Sequence, residues 1–276
     1  MVVQTQRVSW SESLYREVRG DVAVKLLSLD PQSGAATAVL RYPAGWRRPE
    51  PEYLDALEEF YVLDGEIELN GQRYGHDCYA CLPAGLMRET AASQPGAVVL
   101  TMWNRAPLAY VGRAAPAGMF DPALHVPHHD AHAKGLDGWE QNTHTRYLPG
   151  TGVQTLRVDP YTKEITILYS ALPFRFMEKR WTHEHVQEMY LLAGEYSIND
   201  VGVMRPGAYA WWEPQKLHGP YGSLTGFMML VRSCGGPLVN VIPPEPVTVD
   251  FAAPYRPLLP PAHAAHRGES DTHARY

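Results

Sequence analysis

The sequence repeats itself. Shifted by 129 positions, Trp10 falls on Trp139, Leu27 on Leu156 and Asp30-Pro31 on Asp159-Pro160. The same shift superposes Tyr61 on Tyr190, Leu63 on Leu192, Gly65-Glu66 on Gly194-Glu195 and Asn70 on Asn199. One inserted residue raises the shift to 130 and brings Tyr79-Ala80 onto Tyr209-Ala210. Matches in order over most of each half identify a tandem duplication, so the fold of one half constrains the other. At 276 residues, two domains of ordinary size fit the chain.

Both halves read as β structure. Val22–Leu29, Ala36–Tyr42, Glu59–Leu63, Glu66–Leu69, Ala97–Trp103, Glu164–Tyr169, Met189–Leu192 and Gly226–Arg232 are short, apolar and rich in β-branched and aromatic residues. Asp30-Pro31 and Asp159-Pro160 predict equivalent turns, because Asp caps a turn and Pro presets its φ. Asp64-Gly65 and Ala193-Gly194 predict equivalent hairpin turns, where glycine tolerates a positive φ. Closely spaced strands with no long helical periodicity between them predict an all-β sandwich or barrel in each half.

The chemistry concentrates at 181–218. In an extended strand, residues two apart share a face, so Trp181, His183, His185 and Gln187 are expected to point together, with Glu184 and Glu188 opposite. His218 arrives from a later strand. Imidazoles gathered in this way suit a divalent transition metal.

This stretch resembles the two signature motifs of the cupin superfamily, the first a histidine pair and an acidic ligand followed by a glycine, the second a Pro-Gly strand start leading to a last histidine. Six residues separate Gln187 from Gly194, as the family spacing requires, and Pro206-Gly207 opens a strand leading to Pro214 and His218. Further text resembles the ChrR-like cupin group: Arg41-Tyr-Pro-Ala-Gly-Trp46, Glu58-Glu-Phe-Tyr-Val-Leu-Asp-Gly65, Cys81-Leu-Pro-Ala-Gly85, Pro206-Gly-Ala-Tyr-Ala-Trp-Trp212 and His218-Gly-Pro-Tyr-Gly-Ser223. The resemblance implies a bicupin, two tandem jelly-roll barrels, with a metal held by His183, His185, Gln187 and His218. Counting back from Gln187 puts His183 at the family's second histidine and Trp181 at its first. Either that ligand is lost, or a shortened turn lets His183 and His185 serve as the pair, and Glu188 is an alternative to Gln187. The expected divisions are a first barrel over 1–120, a His/Pro-rich linker over 121–138, a metal-binding barrel over 139–245, and an extended arm and disordered tail over 246–276.

The repeat transfers these positions to the first half as Glu52 for Trp181, Leu54 for His183, Ala56 for His185, Glu58 for Gln187 and Arg88 for His218. Leu and Ala bind no metal and Arg stays protonated. The first barrel is therefore expected to lack a metal, with Arg88 paired to Glu58 or Glu89 or, as an alternative, holding an organic anion with Arg47 or Arg48. His125, His128, His129 and His132 are expected to be linker histidines rather than a zinc site. Cys78 and Cys81 lie in a predicted strand, where odd spacing sends the thiols to opposite faces, so packing is expected rather than redox or zinc chemistry.

A net charge of −6 with no basic run argues against a nucleic-acid partner. No apolar run reaches membrane-spanning length and no leader is visible, so no membrane is expected and a cytoplasmic location is the default. Monomer and homodimer are both compatible with barrels that pair through sheet edges. Neutral imidazole ligands leave most of the metal's charge uncompensated, which suits a small oxygen-bearing substrate or ligand. A dioxygenase-type oxidoreductase using iron(II) is the leading expectation. The alternatives are a non-catalytic metal- or ligand-binding bicupin, and an isomerase or cyclase using zinc, manganese or nickel. Glu188 and Tyr190 are the candidate catalytic side chains, with Tyr209, Trp211 and Trp212 as aromatic walls.

Overall fold

A computed structural model of the chain describes residues 1–12, 14–135, 139–141, 150–255 and 257. Two compact units result, one of Val8–Ala133 and one of Met1–Arg7 with Lys134–Tyr276.

Each unit has the same plan. In the first, a six-stranded antiparallel sheet runs in the order Val126–Asp130, Cys78–Leu82, Glu58–Gly65, Ala97–Trp103, Ala36–Tyr42, Ala23–Leu29. A second sheet runs Trp46–Arg48, Ala91–Ser93, Ile67–Leu69, Gln72–Tyr74. In the second unit, the large sheet runs Val2–Gln4, Ala208–Trp212, Val186–Gly194, Phe227–Cys234, Ile165–Ala171, Thr151–Val158, Glu140–Gln141. Its small sheet runs Arg175–Met177, Tyr221–Ser223, Tyr196–Ile198, Gly202–Met204. Each core draws side chains from both sheets: Val62, Val99 and Leu40 meet Leu69 and Tyr74 in one, and Met189, Met229 and Ile167 meet Tyr196 and Tyr221 in the other. These are two tandem jelly-roll barrels.

The duplication extends to backbone detail. Gly65 and Gly194 sit at φ 72° and 73°, and a Cβ on either would lie 2.1 Å from the Gly96 carbonyl oxygen or 2.0 Å from that of Gly226. Only glycine fits these positions. Both strands carry a bulge nearby, at Val98/Val99 and at Leu191/Ala193. Isolated antiparallel bridges join Glu52 to Arg88 and Trp181 to His218, so the positions matched by the repeat are matched in space.

The edges depart from the expected divisions. The stretch read as a linker supplies Val126–Asp130, the strand that covers the first barrel's edge at Cys78–Leu82. The Tyr74 hydroxyl donates to the Pro127 carbonyl at 2.6 Å, and His132 Nε2 lies 2.6 Å from Asp77. In the second barrel the equivalent edge is paired by Val2–Gln4, not by a strand from its own half. An uncovered edge would leave backbone groups unpaired, and both strands remove that cost. Cys78 and Cys81 are buried, unbridged thiols. Residues 246–255 run along the second barrel: the Val247 amide donates to the Glu178 carbonyl at 2.9 Å, and Asn199 bonds both Thr248 and Asp250. The expected disordered tail from Ala262 lies outside the described residues, among which no helix is long and apolar enough to cross a membrane.

Candidate metal centre and cavity of the second barrel

The strand bearing Gln187 begins only at Val186. Before it, Trp181 and Thr182 make single bridges to His218 and Val241, and the chain bends at 184–185. The expected alternation therefore fails upstream of 186. His183 and Gln187 face the barrel interior, but His185 does not join them. Its imidazole lies against Gly236, where a Cβ would stand 2.2 Å from Nε2. Among the described residues no three of His, Cys, Asp and Glu come together as a metal site. The histidine pair is His183 with His218, and the first histidine position is filled by Trp181.

His183 and His218 are buried, with ring centroids 5.2 Å apart. His218 stacks on Trp212 at 4.6 Å and meets the edge of Trp181 at 4.8 Å. Its Nδ1 lies 2.8 Å from the Lys216 carbonyl, and Nδ1 of His183 lies 3.2 Å from the Val239 carbonyl. A carbonyl only accepts, so each Nδ1 carries the proton and each Nε2 presents a lone pair. Burial lowers both imidazoles and takes His218 down to about 4, so both are neutral near pH 7. Among the described residues neither Nε2 has a hydrogen-bond partner, and neither does the buried Oε1 of Gln187. The Gln187 amide also lies near enough to His183 to act on its imidazole, so the three groups converge, and neutral acceptors gathered in a buried interior match what a cation requires.

Trp181 and Gln187 also line a cavity of about 130 Å³, walled by Met189, Met229, Tyr169 and Tyr221 among others. The hydroxyls of Tyr169 and Tyr221 are 3.0 Å apart. Burial raises both, Tyr221 to about 12, so both keep their protons. Among the described residues no ionised side chain lines this space, although Arg175 is near enough to act on Tyr169 and Tyr221. Tyr169, Tyr221 and Asn240 were missed from sequence, although the alternation through Ile167 and Tyr169, and through Met229 and Val231, marks the inward face.

Glu188 and Tyr190 lie elsewhere. Being one residue out of phase with Gln187 and Met189, they point to the opposite face of the sheet. Glu188 accepts from the Tyr209 hydroxyl at 2.5 Å and from Arg232 at 2.8 Å. That buried ion pair is a structural arrangement, and neither carboxylate oxygen reaches the cavity. Tyr190 pairs across the strands with Tyr209 and Leu230. Of the expected aromatic walls, Trp212 alone stands beside the histidines.

The first barrel holds different chemistry at the same place. Arg88 Nη1 donates to Glu58 at 2.5 Å, and Arg19, from the helical turn Arg16–Arg19, reaches Glu58 at 3.1 Å and Glu52 at 3.5 Å. Arg48 closes on Glu52 at 2.6 Å. Burial would raise the Glu58 carboxyl, but the two guanidiniums outweigh it and hold the group below its ordinary value. A salt-bridge cluster stands where the second barrel has its acceptors.

Comparison with known proteins agrees with this architecture. Residues 1–109 match the family described as the ChrR Cupin-like domain. Among curated proteins none matched the chain. A structure from Nostoc punctiforme PCC 73102, named as a candidate dioxygenase, aligns at TM-score 0.67 and 19% identity, covering 85% of this chain and 79% of that one. Oxalate decarboxylase from Bacillus subtilis aligns at TM-score 0.55 and 12% identity, covering 87% and 78%. The two-barrel topology and these matches show a bicupin fold, and residues 1–109 match the ChrR cupin-like family.

Proposed function

We propose that the second barrel is a metal-dependent cupin site acting on a small, uncharged, oxygen-bearing organic molecule, with dioxygenase-type oxidation as the reaction class. The observation that carries this reading is the trio of buried, unpartnered acceptors, His183 Nε2, His218 Nε2 and Gln187 Oε1, beside an apolar cavity. These atoms would hold a divalent transition metal, iron(II) ahead of zinc, manganese or nickel, which would supply Lewis acidity and, as iron, redox capacity toward dioxygen. The protein's own part is placement. The Tyr169 and Tyr221 hydroxyls are kept protonated by burial; one donates to the other, and the remaining proton of the pair is available to an oxygen of the bound molecule. The methionine and aromatic walls exclude water. A cavity of about 130 Å³ is close to the roughly 150 Å³ that admits benzene, so a single ring is the size class. Among the described residues the lining itself holds no Arg or Lys, and its cationic neighbour, Arg175, acts on the two tyrosines from behind the wall, which favours a neutral molecule over a dicarboxylate such as oxalate.

A second reading is a binding barrel without turnover. Trp181 in place of a third imidazole favours it, as does a lining with no carboxylate to act as base. Iron(II)-loaded protein, supplied with small neutral phenols and cyclic ketones, separates the two. Dioxygen uptake that disappears in His218→Ala supports the first reading. Calorimetric binding with no uptake and no product overturns it in favour of the second. Oxygen-independent turnover with zinc or manganese selects an isomerase or cyclase.

A further inference from the structure

The segment that follows the last long strand of each barrel belongs to the repeat. A shift of 130 places Pro107-Leu108 on Pro237-Leu238, Tyr110 on Asn240 and Val111 on Val241. In the first barrel this strap is zipped to Glu52–Leu54. Ala109, Tyr110 and Val111 pair with Leu54, Tyr53 and Glu52, and the rings of Tyr110 and Tyr53 stack at 4.8 Å. Leu108 is left 49% exposed, and among the described residues no side chain of this strap lines the first barrel's cavity.

In the second barrel the strap is displaced by one residue. Tyr53 corresponds to Thr182, yet Thr182 pairs with Val241 rather than with Asn240, the two exchanging backbone bonds of 3.0 and 2.9 Å. A slip of one residue exchanges the faces of an extended segment. Leu238, Asn240 and Ile242 accordingly line the cavity, while Val239 and Val241 between them are 48% and 52% exposed. Gly235-Gly236, standing where the first half has Arg105-Ala106, permits the displaced path. Gly235 has φ 96°, and a Cβ on Gly236 would meet the His185 imidazole at 2.2 Å. The Val239 carbonyl, 3.2 Å from Nδ1 of His183, holds the strap at a second point.

Asn240 thereby brings an amide to the cavity rim, where it makes no hydrogen bond to the described residues. Its N–H groups donate and its carbonyl accepts. The remaining proton of the Tyr169–Tyr221 pair is a separate donor, set four residues further along the barrel. Tyr169 pairs with Met229, whereas Gln187, near the strap's origin, pairs with Ser233 of the same strand. A mainly apolar space with a donor toward each end suits a ring with two oxygens better than a ring with one. We propose that Asn240 selects the bound molecule, favouring a single uncharged ring with oxygen at two positions, one held by the tyrosine pair and the other by Asn240. This rests on the reading of the cavity as the substrate site.

The test is titration calorimetry of the full-length, metal-free chain with 1,4-cyclohexanedione and cyclohexanone. Ketone oxygens only accept, so the Nε2 lone pairs of His183 and His218 do not compete for them, and the outcome does not depend on metal content. The dione should bind more tightly than the ketone. One neutral hydrogen bond corresponds to about fivefold in affinity, the loss expected for the dione in Asn240→Leu, with cyclohexanone unchanged. Asn240 is exposed at the rim, so this substitution spares the core. Val241→Pro removes the amide bonded to Thr182 and should lose the same preference. Equal affinity for the two rings in the unaltered chain, unchanged dione affinity in Asn240→Leu, equal loss for both rings, or a preference that survives Val241→Pro would each overturn the proposal. If neither ring binds, the substrate-site reading falls with it; if both bind and only the preference fails, that reading stands.

Discussion

The two barrels share strand order, bulges and bridging pairs, yet their interiors carry opposite polarity. At four equivalent positions the first barrel has Glu52, Leu54, Glu58 and Arg88 where the second has Trp181, His183, Gln187 and His218. The first pairs charge with charge and ends with donors to spare. The second is neutral and ends with acceptors to spare. The fold sets where the centre lies, while these side chains decide its polarity. A barrel without histidines at these positions can thus keep a polar centre, provided its residues balance one another.

The sharpest way to break the comparison is to put the same side chain at equivalent positions. Glu58→Leu strips the counter-charge from Arg19 and Arg88 and should cost about 3–5 kcal/mol in chemical denaturation. Gln187→Leu removes a neutral group whose one side-chain neighbour of note is the His183 imidazole, and should change stability by less than about 1 kcal/mol while removing metal affinity. Equal costs at the two positions would show that the interiors do not differ in the way described.

The next effect is one of pH. The folded Glu58 carboxyl is held below its ordinary value of 4.5, so its contribution is present above that value and is lost as pH falls through the lower, folded-state value. Glu58→Gln should flatten the decline of stability below pH 4.5, measured by urea unfolding at several pH values. An unaltered decline would place the acid-labile group elsewhere.

Glu188 gives a smaller effect. Glu188→Gln should lose about 1.5–3 kcal/mol through weakened bonds to Arg232 and Tyr209, yet keep full metal content and ligand affinity. Loss of metal in this variant would return Glu188 to the site. Smallest of all, Tyr221→Phe should cost about 1 kcal/mol and weaken binding of an oxygen-bearing ring more than binding of its hydrocarbon analogue, as calorimetry would show.

Much of this was legible in the sequence because turns and glycines recur at a fixed shift. Gly65 and Gly194 mark the same tight approach to a neighbouring carbonyl, and the strands between them follow from alternation. His183, Gln187 and His218 stand out in the sequence, and the structure buries all three. His185 was not excluded, because the bend at 184–185 is set by distant partners: Val241 bridges Thr182, and Gly236 makes room for the imidazole. The family count that placed Trp181 at the first ligand position described the arrangement better than strand parity did. The edge strands escaped notice for a related reason. Val126-Pro-His-His-Asp130 has no apolar alternation, and a proline is tolerated at an edge that no alternation would have revealed. Arg19 could not be seen either, since a short helical turn brings it to Glu58 from 39 residues away.

Metal stoichiometry is the most direct test of opposite polarity in the two barrels. Elemental analysis should use protein ended after Leu259, which removes the tail histidines His263, His266 and His273, alongside its Gln187→Leu, His218→Ala and Trp46→Phe variants. The account predicts one divalent metal per chain, lost in Gln187→Leu and His218→Ala and retained in Trp46→Phe. No metal under metal-sufficient conditions, or metal retained when His218 is removed, would contradict it.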